Sequence, residues 1–392
     1  MIIENVSFNG DKIDIKIENK KIIKLDSNHG IRAKSTSIES KNGNFILFPY
    51  LTDMNVYPKN NILSLSALKD LSLSALKGGV GTISLLPNTN PKINNEITIE
   101  FIKHLNLDLK IHPLIHPLND ALKLSDISIL HSIGGVGIHL CSAEDSNTID
   151  KIAKYAKMLS IPLFVNAYDG LGGVINAGDI SAILGLPPRN PLSEIKEVAK
   201  MIEVAIFYQI KMVFSAVVEP RSIELINEAK KHNPNIYCEV PLHHLIFSDE
   251  ECLNYNTSAK INPPLKSKET KEILLRMLCE GKIDCLTSLQ SAYNSHQKER
   301  VFEEAAYGID AISHYFPILY TKLVKTNIIS LDYLLIYCFK NPNRILNIND
   351  SLNLDSNKLM LIDLDDSYVI KDALSLYDGL EVYGIIKDLG SL

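Results

Sequence analysis

Between residues 46 and 289 the chain repeats one pattern: a short apolar run followed by a stretch of helical periodicity. The apolar runs fall at 46–56, 82–87, 109–115, 135–140, 162–167, 211–217, 235–240 and 283–289. The segments between them include "LSLSALKDLSLSALKGG", "TIDKIAKYAKMLS", "SEIKEVAKMIEVAIFYQ", "RSIELINEAKKHN" and "ETKEILLRMLCEGK". Each places apolar residues three and four apart, and several end in Gly or Asn, as helices do. Eight strand–helix units over roughly 300 residues predict an α/β chain folded as a TIM (β/α)8 barrel. A doubly wound sheet is the alternative, but it normally opens with a Gly-rich phosphate turn. The Gly-rich spots "KGGVG" and "IGGVG" both precede strands, so their glycines read as helix caps.

The two ends of the chain follow another rule. "DKIDIKIE", "KIIKLD" and "NFILFP" near the start, and "KLMLIDLD", "SYVIKD" and "VYGIIKDLG" near the end, alternate with period two. Asn, Asp and Gly separate them, which predicts small antiparallel β structure at both termini. Pairing the ends gives one small β-sandwich-like domain from 1–48 and 348–392, with the barrel at 49–347. The start, "MIIENVSFNGDKIDIKIENK", is charged and strand-like, so it is not read as a signal peptide.

Composition removes several functional classes. A net charge of −6 and a pI near 6.0 leave no basic footprint for nucleic acid or an anionic membrane. The apolar runs fall short of the ~20 residues that span a bilayer. Cysteines 141, 238, 252, 279, 285 and 338 are scattered without a CxxC pair, pointing to a reducing, cytoplasmic setting.

In a TIM barrel the chemistry sits at the C-terminal strand ends. The positions to inspect are therefore Asn55 and Tyr57, Pro87 and Asn88, His139 to Asp145, Asn166, Ala216, His243 and His244, and Leu289 and Gln290. Around them the chain resembles dihydroorotase, of the amidohydrolase superfamily. "FPYLTDMNVYPKNN" resembles the family motif P-G-x-x-D-x-H-x-H-x-R-x-P-G. "ALKGGVGTISLLPNTNP" resembles A-x-x-G-G-x-T-x-x-x-M-P-N-T-x-P, and "FVNAYD" the segment around V-x-H-x-E-D. "CEVPLHHLIFSDEE" resembles E-V-x-P-H-H-L, and "KINPPLKSKET" resembles K-x-N-P-P-L-R-S. "IDCLTSLQSAYNSHQKE" and "EEAAYGIDAIS" resemble I-D-x-I-A-T-D-H-A-P-H and A-P-x-G-I-x-G-L-E. The motifs run in order from about residue 45 to "NPNRILNI", and together they are specific.

The departures gather where the family does its chemistry. Asn55 and Tyr57 stand at its two first-strand histidines, and Asn166 and Ala216 at those of the fifth and sixth strands. Leu289 stands at the aspartate that is both metal ligand and general base, and Gln290 and Tyr293 at the two histidines after it. The fourth-strand bridging residue falls within "HLCSAED", residues 139–145, which contains no lysine. The family uses zinc, which takes about three or four imidazole, thiolate or carboxylate ligands. Asn offers a neutral carbonyl, Tyr must first lose a proton of pKa near ~10, and Ala and Leu donate nothing. No metal is expected, so water keeps its high pKa and no hydroxide forms at neutral pH. No base remains to move a proton to the leaving nitrogen.

Other parts of the family's site persist by resemblance. Lys59 stands where an arginine holds the substrate carboxylate, keeping the charge without the bidentate fork. Asn88 and Asn262 match asparagines that contact substrate, and Tyr307 and Gly308 match a backbone contact. A loop-ordering role for Asn88 beside Pro87 carries equal weight. His243 and His244 are kept by the family without binding metal, so they are read as structural. His112 and His116 each precede a proline and cannot share a helix face. His139, alternating with apolar neighbours, is read as an inward, hydrogen-bonded residue. Glu144 and Asp145 are the residual acids, with a helix N-terminal pair as the alternative. Arg189 and Glu194 match a family R-P-x-x-x-E helix start and are expected to fix a loop. The cysteines are read as core.

The resemblance therefore implies a non-catalytic dihydroorotase-like protein of pyrimidine biosynthesis. Its expected role is assembly or regulation, with aspartate carbamoyltransferase as the candidate partner and self-association as a further option. An active cyclic amidohydrolase with a rebuilt site, converting dihydroorotate to carbamoyl aspartate, is the alternative. A vestigial pocket for a pyrimidine-pathway carboxylate is compatible with either.

Overall fold

A computed structural model describes residues 2–8, 10–18, 21–25, 44–349 and 358–387. Its centre is an eight-stranded parallel sheet rolled into a barrel. The strands are Leu51–Val56, Val80–Leu85, Lys110–Ile115, Gly137–Cys141, Leu163–Asn166, Met212–Phe214, Ile236–Pro241 and Cys285–Thr287, each beside its sequence neighbour. A parallel bridge between Val56 and Gln290 closes the ring from first strand to last. All eight expected strands are present. The expected run 46–56 breaks at Tyr50, however: Phe45–Pro49 joins the terminal sheet and Leu51–Val56 opens the barrel. One apolar run thus serves two sheets, and continuous hydrophobicity cannot mark the break.

The helices form where the periodicity puts them, and their ends have identifiable causes. In Leu65–Lys77 the buried residues Leu68, Leu71, Ser72 and Ala75 make one stripe at helical spacing. Ser64 caps its start by accepting from the Ala67 N–H, and Gly78 ends it. Gly134 ends Ile127–Ile133 in the same way, so both Gly-rich spots are helix caps. Asp145 caps Ser146–Leu159 and Ser267 caps Lys268–Cys279.

The lower end of the barrel is plugged. Ile345 and Leu346, at the end of the short helix Asn341–Ile345, pack against Met54, Leu114, Phe164, Val213, Tyr237 and Cys285 inside it. Thr52 donates to Asn343 at 2.7 Å, and the Lys211 ammonium reaches the carbonyls of Arg344 and Ile345. Any cleft must therefore open at the C-terminal strand ends.

The termini build one six-stranded sheet in the order Glu381–Lys387, Leu359–Val369, Phe45–Pro49, Ile2–Phe8, Asp11–Glu18, Lys21–Leu25. Its pairings are antiparallel except that between Ile2–Phe8 and Phe45–Pro49. The runs "KLMLIDLD" and "SYVIKD" merge into one strand, Leu359–Val369, interrupted by a register shift after Asp363. Asp26 of "KIIKLD" and residues 388–390 of the last run lie outside the described residues. Ile3, Val6, Ile15, Ile17, Leu47, Leu359 and Leu361 fill one face, while Ile46, Phe48, Met360 and Ile362 of the other join the barrel's outer core. Among the described residues no helix is long and apolar enough to cross a membrane.

Candidate functional site

The first barrel strand is buried along its whole length. Asp53 is fully buried and accepts from the Thr287 hydroxyl at 2.5 Å and from the N–H groups of Ser288 and Asn55, each at 3.1 Å. It therefore ties the first strand to the eighth. Burial raises its pKa against these bonds. Two residues on, Asn55 turns its amide to Glu239 in the seventh strand and donates to Oε1 at 2.8 Å. The same oxygen accepts from the N–H of Ala216 at 3.3 Å. Burial, with Asp53 adding repulsion, pushes Glu239 up to about 8, so it is a neutral acid at pH 7. Its second oxygen is buried with no hydrogen-bond partner.

Tyr57 is similarly engaged. Its hydroxyl faces the Asn88 amide, and burial pushes its pKa to about 12. Ala216 and Leu289 present no donor atom, yet both have left-handed backbone, with φ of 54° and 49°. Asn, Asp and His visit that region far more readily than branched or aliphatic residues. The strand ends thus hold a backbone shape suited to polar ligands, under side chains that cannot ligate. Gln290 is fixed structurally, donating to Asp310 and accepting from the N–H groups of Ala311 and Ile312. Tyr293 accepts from the Asn61 amide.

Zinc does not fit this donor set. Asn55 is committed to Glu239, Tyr57 is a protonated phenol, and Ala216 and Leu289 offer nothing. Among the described residues no three His, Cys, Asp or Glu side chains converge to hold a metal.

The histidines singled out from the sequence are all at least half-buried. His243 lies between the Tyr377 hydroxyl and the Ser288 carbonyl, each at 2.7 Å, and burial lowers its pKa to about 4. His244 points Nε2 at the carbonyls of Pro263 and Pro264. His139, on the fourth strand, is kept neutral by burial, with a pKa near 4. His112 lies within the third strand and His116 just after it, so no helix face carries them. Glu144 and Asp145 follow the fourth strand, where Asp145 is exposed and caps the next helix. Asp145 thus takes the structural role of a helix cap.

The pocket residues named from the sequence take local partners, and two of them, Asn262 and Tyr307, both meet Arg189. Lys59 is exposed on the turn Lys59–Asn61. Asn88 faces Tyr57. Asn262 accepts from the Arg189 guanidinium at 2.5 Å. The Tyr307 ring lies under the Lys260 ammonium, 4.4 Å from the ring centre. Gly308 donates to the Lys260 carbonyl, and its own carbonyl accepts from the Lys298 ammonium at 2.9 Å. A Cβ at Gly308 would lie 2.1 Å from the Ser291 carbonyl oxygen, so only glycine fits there.

A small cleft of about 30 Å³ lies over the ends of the fifth and sixth strands. Asn166, Ser215, Ala216, Arg189, Asn262 and Lys266 contribute to its lining. Ser215 and Lys266 carried no signal in the sequence; a serine at a strand end and a lysine after "NPPL" are ordinary until folding brings them together. Arg189 also reaches the Gly173 carbonyl and lies 4.6 Å above the Tyr168 ring. Glu194 accepts from the N–H groups of Val218 and Glu219, and Lys266 pairs with Glu219 in the buried wall. Arg189 and Glu194 thus each hold a loop, through separate partners. Burial, reinforced by Glu219, raises Glu194 to about 7.

No family model matches the chain. It is 26% identical over 397 residues to a dihydroorotase of Caldanaerobacter subterraneus subsp. tengcongensis, covering 96% of this chain and 91% of the relative. Among solved structures, L-hydantoinase (dihydropyrimidinase) from Arthrobacter aurescens superposes with a TM-score of 0.81 at 20% identity, covering 99% of this chain and 94% of that one. The inactive dihydroorotase-like domain of the Chaetomium thermophilum CAD-like multifunctional protein gives 0.63 at 16% identity, covering 88% and 92%. The barrel with its terminal sheet agrees with these structures, and the ordered motifs agree with the dihydroorotase relative along nearly the whole chain. This chain is a dihydroorotase-like member of the amidohydrolase superfamily.

Proposed function

We propose that the protein is a non-catalytic dihydroorotase-like subunit of pyrimidine biosynthesis, acting through its surface as an assembly or regulatory partner. The observation that carries this reading is the buried hydrogen bond between Asn55 and Glu239. It spends a first-strand ligand position on an internal contact with a neutral acid, leaving no anionic pair to attract a divalent ion. The solved neighbour described as inactive supports the view that this barrel tolerates loss of catalysis. Aspartate carbamoyltransferase is the candidate partner, because the resemblance places the two activities in consecutive steps.

The competing reading is an active dihydroorotase with a rebuilt site, favoured by the name of the curated relative. It requires ligands that these side chains do not supply. Purified protein is expected to carry no stoichiometric zinc and to release no carbamoyl aspartate from dihydroorotate, with or without added zinc. One or two equivalents of tightly bound metal, or metal-dependent turnover, overturns the proposal. Affinity purification from native lysate is expected to co-elute aspartate carbamoyltransferase; its absence removes that partner.

A further inference from the structure

The helix Leu65–Lys77 is apolar on two faces. Leu68, Leu71, Ser72 and Ala75 pack inward, while Leu65, Ser66, Lys69, Asp70 and Leu73 face outward and are exposed. Leu65 and Leu73 are 47% and 71% exposed, and Ile62, just before the helix, adds to the outward apolar surface. Leucine on both faces is the pattern of a helix covered from both sides. The barrel covers only one of them.

Lys69 and Asp70 stand within this outward strip as an unpaired couple. Sequence neighbours on a helix do not face each other. The positions three and four away hold Leu65, Ser66, Ala67, Ser72, Leu73 and Ser74, so the helix supplies no countercharge. Among the described residues neither side chain forms a hydrogen bond or an ion pair. On other barrel helices the exposed charges are paired locally: Lys154 with Asp150, Arg221 with Glu224, Lys231 with Glu228. Around the helix axis Leu65 and Lys69 lie towards one edge of the outward face, Ser66 and Asp70 towards the other, and Leu73 between them. A two-fold axis parallel to the helix exchanges the two edges. It sets Lys69 against the partner's Asp70, Asp70 against the partner's Lys69, and Leu73 against the partner's Leu73.

We propose that two copies of this chain associate side by side through the helix Leu65–Lys77, with Leu73 on the two-fold axis and reciprocal Lys69–Asp70 pairs beside it. The charges select a second copy as the occupant, because the surface complements itself. A partner of either single sign would set one of the two charges against its like. One helix face buries less than the ~1,200 Å² of a stable interface, so the dimer is weak, with a Kd between about 1 and 100 µM. The inference concerns the outer wall of the barrel, goes beyond the non-catalytic reading and does not depend on it.

Sedimentation equilibrium of the full-length protein, over about 5–300 µM, is expected to show a monomer–dimer equilibrium. Leu73→Ser acts twice in a symmetric dimer and is expected to weaken it at least about tenfold. Lys69→Asp gathers only carboxylates at the axis and is expected to weaken it as well. Adding Asp70→Lys to that variant restores opposed signs and is expected to return association to within about threefold of the wild type. Phe207→Ser, at an exposed aromatic on the helix Leu192–Tyr208, is the control that leaves association unchanged. All four positions are exposed, so circular dichroism is expected to show intact folding in every variant. A monomer at every concentration, a dimer indifferent to Leu73→Ser, a double variant no tighter than Lys69→Asp alone, or dissociation by Phe207→Ser overturns the proposal.

Discussion

The amide of Asn55 donates to Oε1 of Glu239 across 2.8 Å, in a part of the barrel where both residues are almost wholly buried. That bond converts a candidate metal position into part of the core. Asn55→Leu leaves the Glu239 carboxyl with only the Ala216 N–H, in addition to its unpartnered second oxygen. The expected loss is about 1–3 kcal/mol, the cost of an unsatisfied buried polar group. Urea unfolding measures it, and a loss near zero would mean that the bond contributes nothing to stability.

The pH profile follows from two opposed sets of buried groups. Burial lowers His139, His243 and His314 to about 4, and His244 to about 3. The unfolded chain takes up protons on these rings below about 6.5 while the folded chain does not, so stability falls as pH drops from there. Glu194 and Glu239 are raised from 4.5 to about 7 and about 8. The folded chain keeps protons that the unfolded chain has lost, so stability also falls as pH rises through that window. The four histidines outweigh the two glutamates on the acid side, and between about 6.5 and 8 the glutamates dominate, below the range in which the lowered Lys298 ammonium acts. Thermal melts are expected to show a maximum between about pH 6 and 7. Glu239→Gln keeps an acceptor for Asn55 and should flatten the alkaline side; an unchanged profile would refute the raised acid.

Ala216→Gly is expected to raise stability. Ala216 has φ of 54°, a region that favours glycine, and it is only half-buried. Relief of backbone strain exceeds the added chain entropy here, for a gain of about 0.5–1 kcal/mol. A loss of that size in chemical denaturation would show that the methyl group packs productively.

Tyr377→Phe tests the join between the terminal segment and the barrel. Tyr377 is 1% exposed, and its hydroxyl lies 2.7 Å from His243 Nδ1, while the other ring nitrogen faces the Ser288 carbonyl. With Nε2–H donating to Ser288, Nδ1 must accept from Tyr377. Removing the hydroxyl orphans a buried acceptor and is expected to cost about 1–3 kcal/mol. Hydrogen exchange at the end of the eighth strand should quicken in the variant; unchanged protection would place the clamp elsewhere.

Much of the architecture was legible because it depends on local pattern. Eight apolar runs with amphipathic helices between them have few ways to bury their faces, and a closed parallel barrel is one. The break at Tyr50 was not legible, because hydrophobicity continues across it while the strand changes sheets. For the site, the sequence identified which positions had lost ligands. It did not reveal that Lys59 stays at the surface, that Asn88 turns to Tyr57, or that Asn262 is taken by Arg189.

By itself, then, the sequence determined the order of strands and helices, the union of the two termini, and the chemical poverty of the strand ends, since residue identity and spacing are properties of the chain. Only the tertiary structure decided what those strand ends do instead. Asn55 and Glu239 are 184 positions apart, and so are brought into contact by closure of the barrel alone. The same closure buries the Ser215 hydroxyl without a partner at the edge of the cleft. Hydrogen bonding and burial depend on separation in space, which a linear pattern does not carry.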